Sequence, residues 1–320
     1  MINSNFIELN RIGYGSNFNK LNIDYSNNII KKECINSYGL KKINYEKKFY
    51  QYLIDNNIEF NYPKIYNFND NGYTMQYLKE YNPLYKYYKN FDEKTKDIIL
   101  LKIKSNLDKL HNSTKIYLSK EEFIENINFE INDKILERFN LIKNIISKYN
   151  FIKKVNNIEI LSFEEILSKL NKKINDIIID KEFYFVPIHG DCQFNNILFN
   201  NKTNDLFFID PRGYFGKNEI FGLEEYDMAK IYFALSGYDE FDNREINNLD
   251  IENDNINIFL DILDNKIFEK NNLSILLMIS IWLGNAQCFI NNNEFKGIYS
   301  YFIALYLGTI LLKNEIISLN

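Results

Sequence analysis

His189-Gly190-Asp191-Cys192-Gln193-Phe194-Asn195-Asn196-Ile197-Leu198-Phe199, followed by Phe207-Phe208-Ile209-Asp210, is the stretch on which the fold turns. The apolar run Phe183–Ile188 leads into it and reads as a short buried strand. His189–Asn196 is polar and reads as a loop, while Ile197–Phe199 and Leu206–Ile209 read as the arms of a tight hairpin. One Asp therefore sits in the loop, an Asn opens the hairpin and a second Asp closes it. Polar side chains delivered by short buried strands are held in place, which suits chemistry that needs a preorganised set. Phosphoryl transfer is such a chemistry. One carboxylate orients an acceptor hydroxyl and takes its proton, while a neutral oxygen and another carboxylate hold magnesium against the phosphates. Asn196 and Asp210 are suitable magnesium ligand types.

Working outward, residues 1–80 read as a strand-rich region. Phe6–Ile12 and Asn28–Lys32 have strand character, and a helix is expected from about Lys41 to Asp55, with Phe49, Tyr50 and Leu53 on one face. A hairpin is expected over Lys64–Phe68 and Tyr73–Tyr77, turned by Asn69-Asp70-Asn71-Gly72. Gly13, Gly15 and Ser16 lie between the first two strands, where glycines let a backbone approach phosphate oxygens. A third glycine is missing there, so a plain hairpin turn fits those residues equally well. From about Asp92 the period becomes helical, with Ile98, Leu101, Leu107 and Leu110 expected as one buried stripe. Helices are also expected within 120–178 and over most of the chain after Leu223.

Composition excludes several classes. A hydrophobic fraction of 46% and an aromatic fraction of 16% supply a core, so most of the 320 residues are expected to be ordered. The abundance of Asn, Ile and Lys runs through all segments alike and reads as a genome-wide AT preference. A net charge of −5 argues against a nucleic-acid surface. Cys34, Cys192 and Cys288 form no CxxC pair, which fits neither a disulfide framework nor a zinc site and suits a cytoplasmic location. The N-terminus lacks the basic start and apolar run of a signal peptide. Leu273–Leu283 and Ile298–Leu312 are apolar but shorter than the roughly 18–20 residues that span a bilayer, so they read as core helices and no membrane span is expected.

His-Gly-Asp, four residues, then Asn-Ile-Leu-Phe and a later Ile-Asp resembles the signature of the aminoglycoside phosphotransferase and choline kinase superfamily. That resemblance implies an α+β, two-lobed protein-kinase-like fold. A nucleotide-binding lobe would span residues 1–80, and a mostly helical lobe 81–320 would carry an insertion at about 112–182. It further implies ATP as donor and Mg2+ as cofactor. Asp191 would be the catalytic base, Asn196 a magnesium ligand and Asp210 the main magnesium carboxylate. His189 would brace the loop, and Asp227 would support it. Ile29-Ile30-Lys31-Lys32 resembles the strand bearing the phosphate-contacting lysine; Lys31 fits the pattern better, with Lys32 the alternative. Glu46 would be its partner acid. Met75 would wall the adenine pocket, and the backbone of Gln76 and Leu78 would meet the base. Gly13, Gly15 and Ser16 would cover the phosphates. Ile209-Asp210-Pro211-Arg212-Gly213 with Tyr226-Asp227-Met228-Ala229-Lys230 is similar to kinase-like proteins of bacterial capsule and surface-polysaccharide clusters.

The acceptor is therefore expected to be a hydroxyl of a small molecule. Leu110-His111 resembles the end of the helix that precedes the catalytic loop, and some 77 residues separate His111 from His189. An insertion of that kind is similar to the substrate-binding subdomain of small-molecule kinases. No activation-loop segment follows Asp210, which disfavours a protein substrate. Glu224, Glu225, Asp239 and Glu240 suit either a solvated face or an acidic acceptor site. The competing reading is an inactive nucleotide-binding scaffold of the same fold.

Overall fold

The computed structural model describes residues 6–9, 18–263 and 272–313. Its contacts group into two compact units. One comprises Met1–Tyr117 with Tyr184–Asp227, and the other Leu118–Phe183 with Met228–Asn320. The first is strand-rich and the second mostly helical, an α+β arrangement.

Five antiparallel strands open the first unit: β1 (Ile7–Glu8), β2 (Asn19–Asp24), β3 (Ile29–Cys34), then β4 (Ile65–Asn69) and β5 (Gly72–Gln76), in spatial order β1-β2-β3-β5-β4. The first strand is shorter than the expected Phe6–Ile12, of which residues 10–12 lie outside the described residues. In β3 the side chains alternate. Ile30 and Lys32 are buried, while Lys31 lies half-exposed on the other face.

Helix α1 (Ser37–Asp55) follows β3 and starts four residues earlier than its apolar pattern suggested. Asn36 caps it, its side chain accepting from the Gly39 amide at 2.8 Å. Gly39 hides this start because glycine is a poor helix former. A Cβ there would lie 2.2 Å from the Phe18 carbonyl oxygen, so only glycine lets the first turn approach the sheet. Ile43, Glu46, Phe49, Tyr50 and Leu53 form the buried face.

The chain continues through β6 (Asn82–Pro83), the short α2 (Tyr85–Tyr88), α3 (Glu93–His111) and β7 (Ile116–Tyr117). The buried face of α3 is Ile99, Ile103, Asn106, Leu107, Leu110 and His111. Ile98 and Leu101, expected in that stripe, are 43% and 67% exposed. Seven residues on from them stand Ser105 and Asp108, so both fall on the polar side of the helix.

In the second unit, α4 (Lys120–Asn128) begins at a Ser119/Glu122 capping box and passes through a π-helical turn, Phe129–Asp133, into α5 (Lys134–Ile146). Strands β8 (Lys154–Val155) and β9 (Ile158–Glu159) precede α6 (Phe163–Ile178), which starts at a second capping box, Ser162/Glu165.

The chain then returns to the first unit. β10 (Tyr184–Pro187) pairs with β7, and β11 (Ile197–Phe199) forms a hairpin with β12 (Leu206–Phe208). Next come β13 (Tyr214–Phe215), β14 (Asn218–Glu219) and β15 (Phe221–Gly222), the last pairing with β10. The division between the units falls inside α7 (Glu224–Leu235).

The second unit ends with α8 (Tyr238–Asp242), the hairpin β16 (Asp250–Glu252) and β17 (Asn255–Asn257), then α9 (Asn272–Leu283), α10 (Ala286–Ile290) and α11 (Glu294–Lys313). Trp282 is fully buried among Phe233, Tyr238 and Phe241 and donates its indole N–H to the Ser236 hydroxyl at 2.8 Å. Leu273–Ile290 and Glu294–Leu312, at 18 and 19 residues, are long and apolar enough to cross a membrane, longer than the sequence pattern suggested. They are 83% and 78% buried within the protein, as core helices are.

Gly213 joins the segment after β12 to α1. Its φ is +69°, and a Cβ there would lie 2.5 Å from the Tyr45 carbonyl oxygen. Gly213→Ala is expected to cost about 2 kcal/mol or more, from left-handed strain plus displaced backbone. A fall in the urea unfolding midpoint measures it.

Candidate active site

The hairpin register builds the site. Ile197 stands opposite Phe208, so Asn196 and Ile209 are the next facing positions, and the Ile209 amide donates to the Asn196 carbonyl at 2.9 Å. Asn196 and Asp210 therefore flank the same open end of β11–β12. Asn196 turns its amide nitrogen toward Asp191, donating to the Asp191 carbonyl at 2.8 Å and to its carboxylate at 3.0 Å. That commitment leaves the Asn196 side-chain carbonyl oxygen for another partner. Asp210 holds a left-handed φ of +56°, an uncommon conformation for a residue with a side chain.

Lys32 ties Asp210 to the sheet. Its ammonium lies 2.7 and 2.9 Å from the two Glu46 carboxylate oxygens and 3.0 Å from Asp210 Oδ1. Burial alone would depress the Lys32 pKa, but the charges of Asp210 and Glu46 outweigh it and hold the ammonium above its ordinary value. Burial pushes Glu46 up from the usual carboxylate range, against the opposing pull of Lys32. Lys31 does not reach this cluster. It points to the opposite face of β3 and pairs with Glu33 at 2.8 Å. Lys32, buried in line with Ile30, replaces Lys31 as the lysine beside Glu46, because side chains alternate along a strand.

The backbone of the His189–Asn196 loop hangs on Asp227, which is fully buried near the start of α7. One of its oxygens accepts from the Gly190 amide at 2.6 Å, and the other from the His189 amide and His111 Nε2, both at 2.9 Å. Burial raises the cost of that charge, yet the His111 hydrogen bond and the neighbouring donors prevail and hold the carboxyl below its ordinary pKa. His189 Nδ1 accepts from the Asp191 amide at 3.3 Å, so its Nε2–H donates to the Ile209 carbonyl at 3.1 Å. Its ring packs against Phe49, Phe60 and Phe208, and burial lowers its pKa despite the nearby carboxylates. The neutral imidazole thus braces Asp191 against Asp210, as expected of a supporting residue. Cys192 is buried and donates to the Asp227 carbonyl at 3.2 Å, a packing role.

At the other end of the sheet, Met75 is buried opposite Ile30 in β5. The Gln76 amide is committed to the Lys64 carbonyl at 2.8 Å, so only its carbonyl can serve an incoming base. The Leu78 carbonyl accepts from the Tyr81 amide at 3.0 Å, which makes its N–H the group suited to the same task. Gly13, Gly15 and Ser16 lie outside the described residues. Glu224 is exposed and Glu225 half-buried in the first turn of α7, whereas Asp239 is fully buried in α8 and belongs to no solvated face.

Two groups escaped the sequence reading: His111 as a partner of Asp227, and Tyr73, whose hydroxyl donates to Glu46 at 2.7 Å. Tyr73 was findable in principle, since it stands directly opposite Lys32 in the β3–β5 register.

The donor set suits magnesium. A neutral Asn196 oxygen and the Asp210 carboxylate are hard ligands, the kind that would hold magnesium beside phosphate oxygens.

No family model matches the sequence, and no curated protein aligns with it. Solved structures do share the fold. The GDP complex of wild-type aminoglycoside 2'-phosphotransferase-IIIa superposes with a TM-score of 0.55 at 13% identity, covering 97% of this chain and 93% of that one. A Plasmodium vivax ethanolamine kinase gives 0.55 at 16%, covering 96% and 82%. A choline/ethanolamine kinase family protein from Mesorhizobium loti gives 0.55 at 8%, covering 96% and 89%. The chain has the kinase-like α+β fold of these proteins.

The lowered His189 pKa carries a sign that can be tested. In the unfolded chain His189 protonates near the ordinary value of about 6.5, while the folded protein refuses the proton until lower pH. Its contribution to stability is complete above about pH 6.5 and lost as pH falls below it. The urea midpoint is expected to decline as pH falls below about 6.5, and His189→Gln should flatten that decline.

Proposed function

We propose that this protein is a magnesium-dependent phosphotransferase that moves the γ-phosphoryl group of ATP or GTP to a hydroxyl of a small metabolite. The observation that carries this is the convergence, within one compact unit, of Lys32, Glu46 and Asp210 beside the paired Asp191 and Asn196. Five residues spread over some 180 positions meet as the kinds of group phosphoryl transfer requires. The likeness to aminoglycoside, choline and ethanolamine kinases supports a small-molecule acceptor, and the GDP complex among them keeps GTP as a donor beside ATP.

In this reading Asp191 accepts the proton from the acceptor hydroxyl, and its orientation comes from Asn196 and from the braced backbone of the loop. Lys32 neutralises phosphate charge from a fixed position, because Glu46 holds it. Asn196 and Asp210 hold magnesium, which would offset charge on the phosphate oxygens. Gln76 and Leu78 meet the base through their backbone, with Met75 behind it. The acceptor is a sugar, an amino alcohol or an amino acid. The Ile209–Gly213 and Tyr226–Lys230 runs support a role in surface-polysaccharide synthesis, carried out in the cytoplasm.

An acceptor screen with sugars, amino alcohols and amino acids, reading nucleoside diphosphate release with ATP and GTP, tests the reading. Asp191→Asn is expected to lower turnover about 10²–10⁴-fold while nucleotide still binds. Asp210→Ala should weaken magnesium-nucleotide binding about tenfold or more. Full phosphotransfer by both variants on the true acceptor would rule the assignment out.

A further inference from the structure

Behind the Lys32–Glu46 pair stands a buried hydroxyl that the proposed chemistry does not use. Tyr73 is fully buried and donates to Glu46 Oε2 at 2.7 Å, the same oxygen that lies 2.7 Å from the Lys32 ammonium. Its ring packs against Tyr50 at 5.6 Å and Phe68 at 6.4 Å, and it sits across the β3–β5 ladder from Lys32. We infer that Tyr73 is a positioning residue for nucleotide binding: its hydroxyl fixes the Glu46 carboxylate, and through it the place where Lys32 meets the phosphates. This rests on the phosphotransferase reading.

Counting donors and acceptors carries the inference. A lysine ammonium has three protons, and three acceptor oxygens surround this one: both of Glu46 and one of Asp210. A phosphate can be served only if one of these contacts is given up. Asp210 is the contact to go, since it is the carboxylate suited to magnesium. Lys32 would then depend on Glu46 alone, and Glu46 reaches it on a flexible side chain from α1. Tyr73 has a rigid, ring-bound reach from β5, an interior strand paired on both sides, so its hydroxyl is a fixed point. A buried tyrosine hydroxyl needs some partner. Choosing the carboxylate that holds the lysine makes that need useful, because hydrogen bonds to charged groups are the stronger ones.

A double-mutant cycle decides the matter. Dissociation constants of Mg·ATP and Mg·GTP are measured by calorimetry for the wild type, Tyr73→Phe, Glu46→Gln and the double variant. Tyr73→Phe keeps the ring and is expected to bind roughly tenfold more weakly, the scale of one hydrogen bond to a charged group. If Tyr73 acts through Glu46, adding Tyr73→Phe to Glu46→Gln should weaken binding by no more than about twofold further. Binding by Tyr73→Phe at wild-type strength overturns the inference. So does a double variant whose loss is the product of the single losses. A Tyr73→Phe chain that fails to fold also overturns it, since the hydroxyl would then be structural. A wild type that binds neither nucleotide overturns the phosphotransferase reading itself, and this role with it.

Discussion

Lys32 is the constraint on which the site depends, because a fully buried ammonium cannot stay charged without carboxylates brought to it. The two it has come from α1 and from the end of β12, which are far apart in sequence. Desolvation of the three ions offsets much of their mutual attraction, so the cluster is a poor source of net stability. Losing one partner is another matter, costing about 3–5 kcal/mol by leaving an uncompensated buried charge. The cluster therefore acts on geometry.

Asp227 plays the matching part for the loop. It binds backbone amides of His189 and Gly190, so the position of Asp191 is set through the main chain whatever side chains follow. His189 then links that main chain to the Ile209 carbonyl, one residue before Asp210. Two strained residues sit in this neighbourhood. Asp210 is left-handed, and so is Ile220, a β-branched residue for which that conformation is a real outlier. The Ile220 carbonyl accepts from the Ile188 amide, and its own amide donates to Gly213. Strain of this kind survives where surrounding bonds over-determine the backbone, and here they do.

The hairpin and its three polar residues were legible because their signal is local: an alternating apolar pattern broken by a polar loop. The lysine was harder. Lys31 and Lys32 are chemically alike, and only the inward phase of β3, shared with Ile30, separates them. The stripe of α3 failed for a related reason, since Ile98 and Leu101 have helical spacing but the wrong phase. Contacts such as His111–Asp227 and Tyr73–Glu46 join residues 116 and 27 positions apart, beyond the reach of any periodicity. The Asn-rich composition proved structural as well as compositional. Of eight described non-glycine residues with positive φ, six are Asn, so in a chain of 12 glycines asparagine makes the left-handed turns.

The same physics explains why the acceptor resists reading. Every side chain assigned to phosphoryl transfer belongs to the first unit, and what that set asks of an acceptor is a hydroxyl within reach of one carboxylate. Discrimination between a sugar and an amino alcohol must come from groups that touch the rest of the molecule. A shared fold does not supply them, because one backbone serves aminoglycoside, choline and ethanolamine kinases at 8–16% identity to this chain. Chemistry and acceptor choice thus make different demands on side chains: the first asks for one placed carboxylate, the second for contacts with the rest of the molecule.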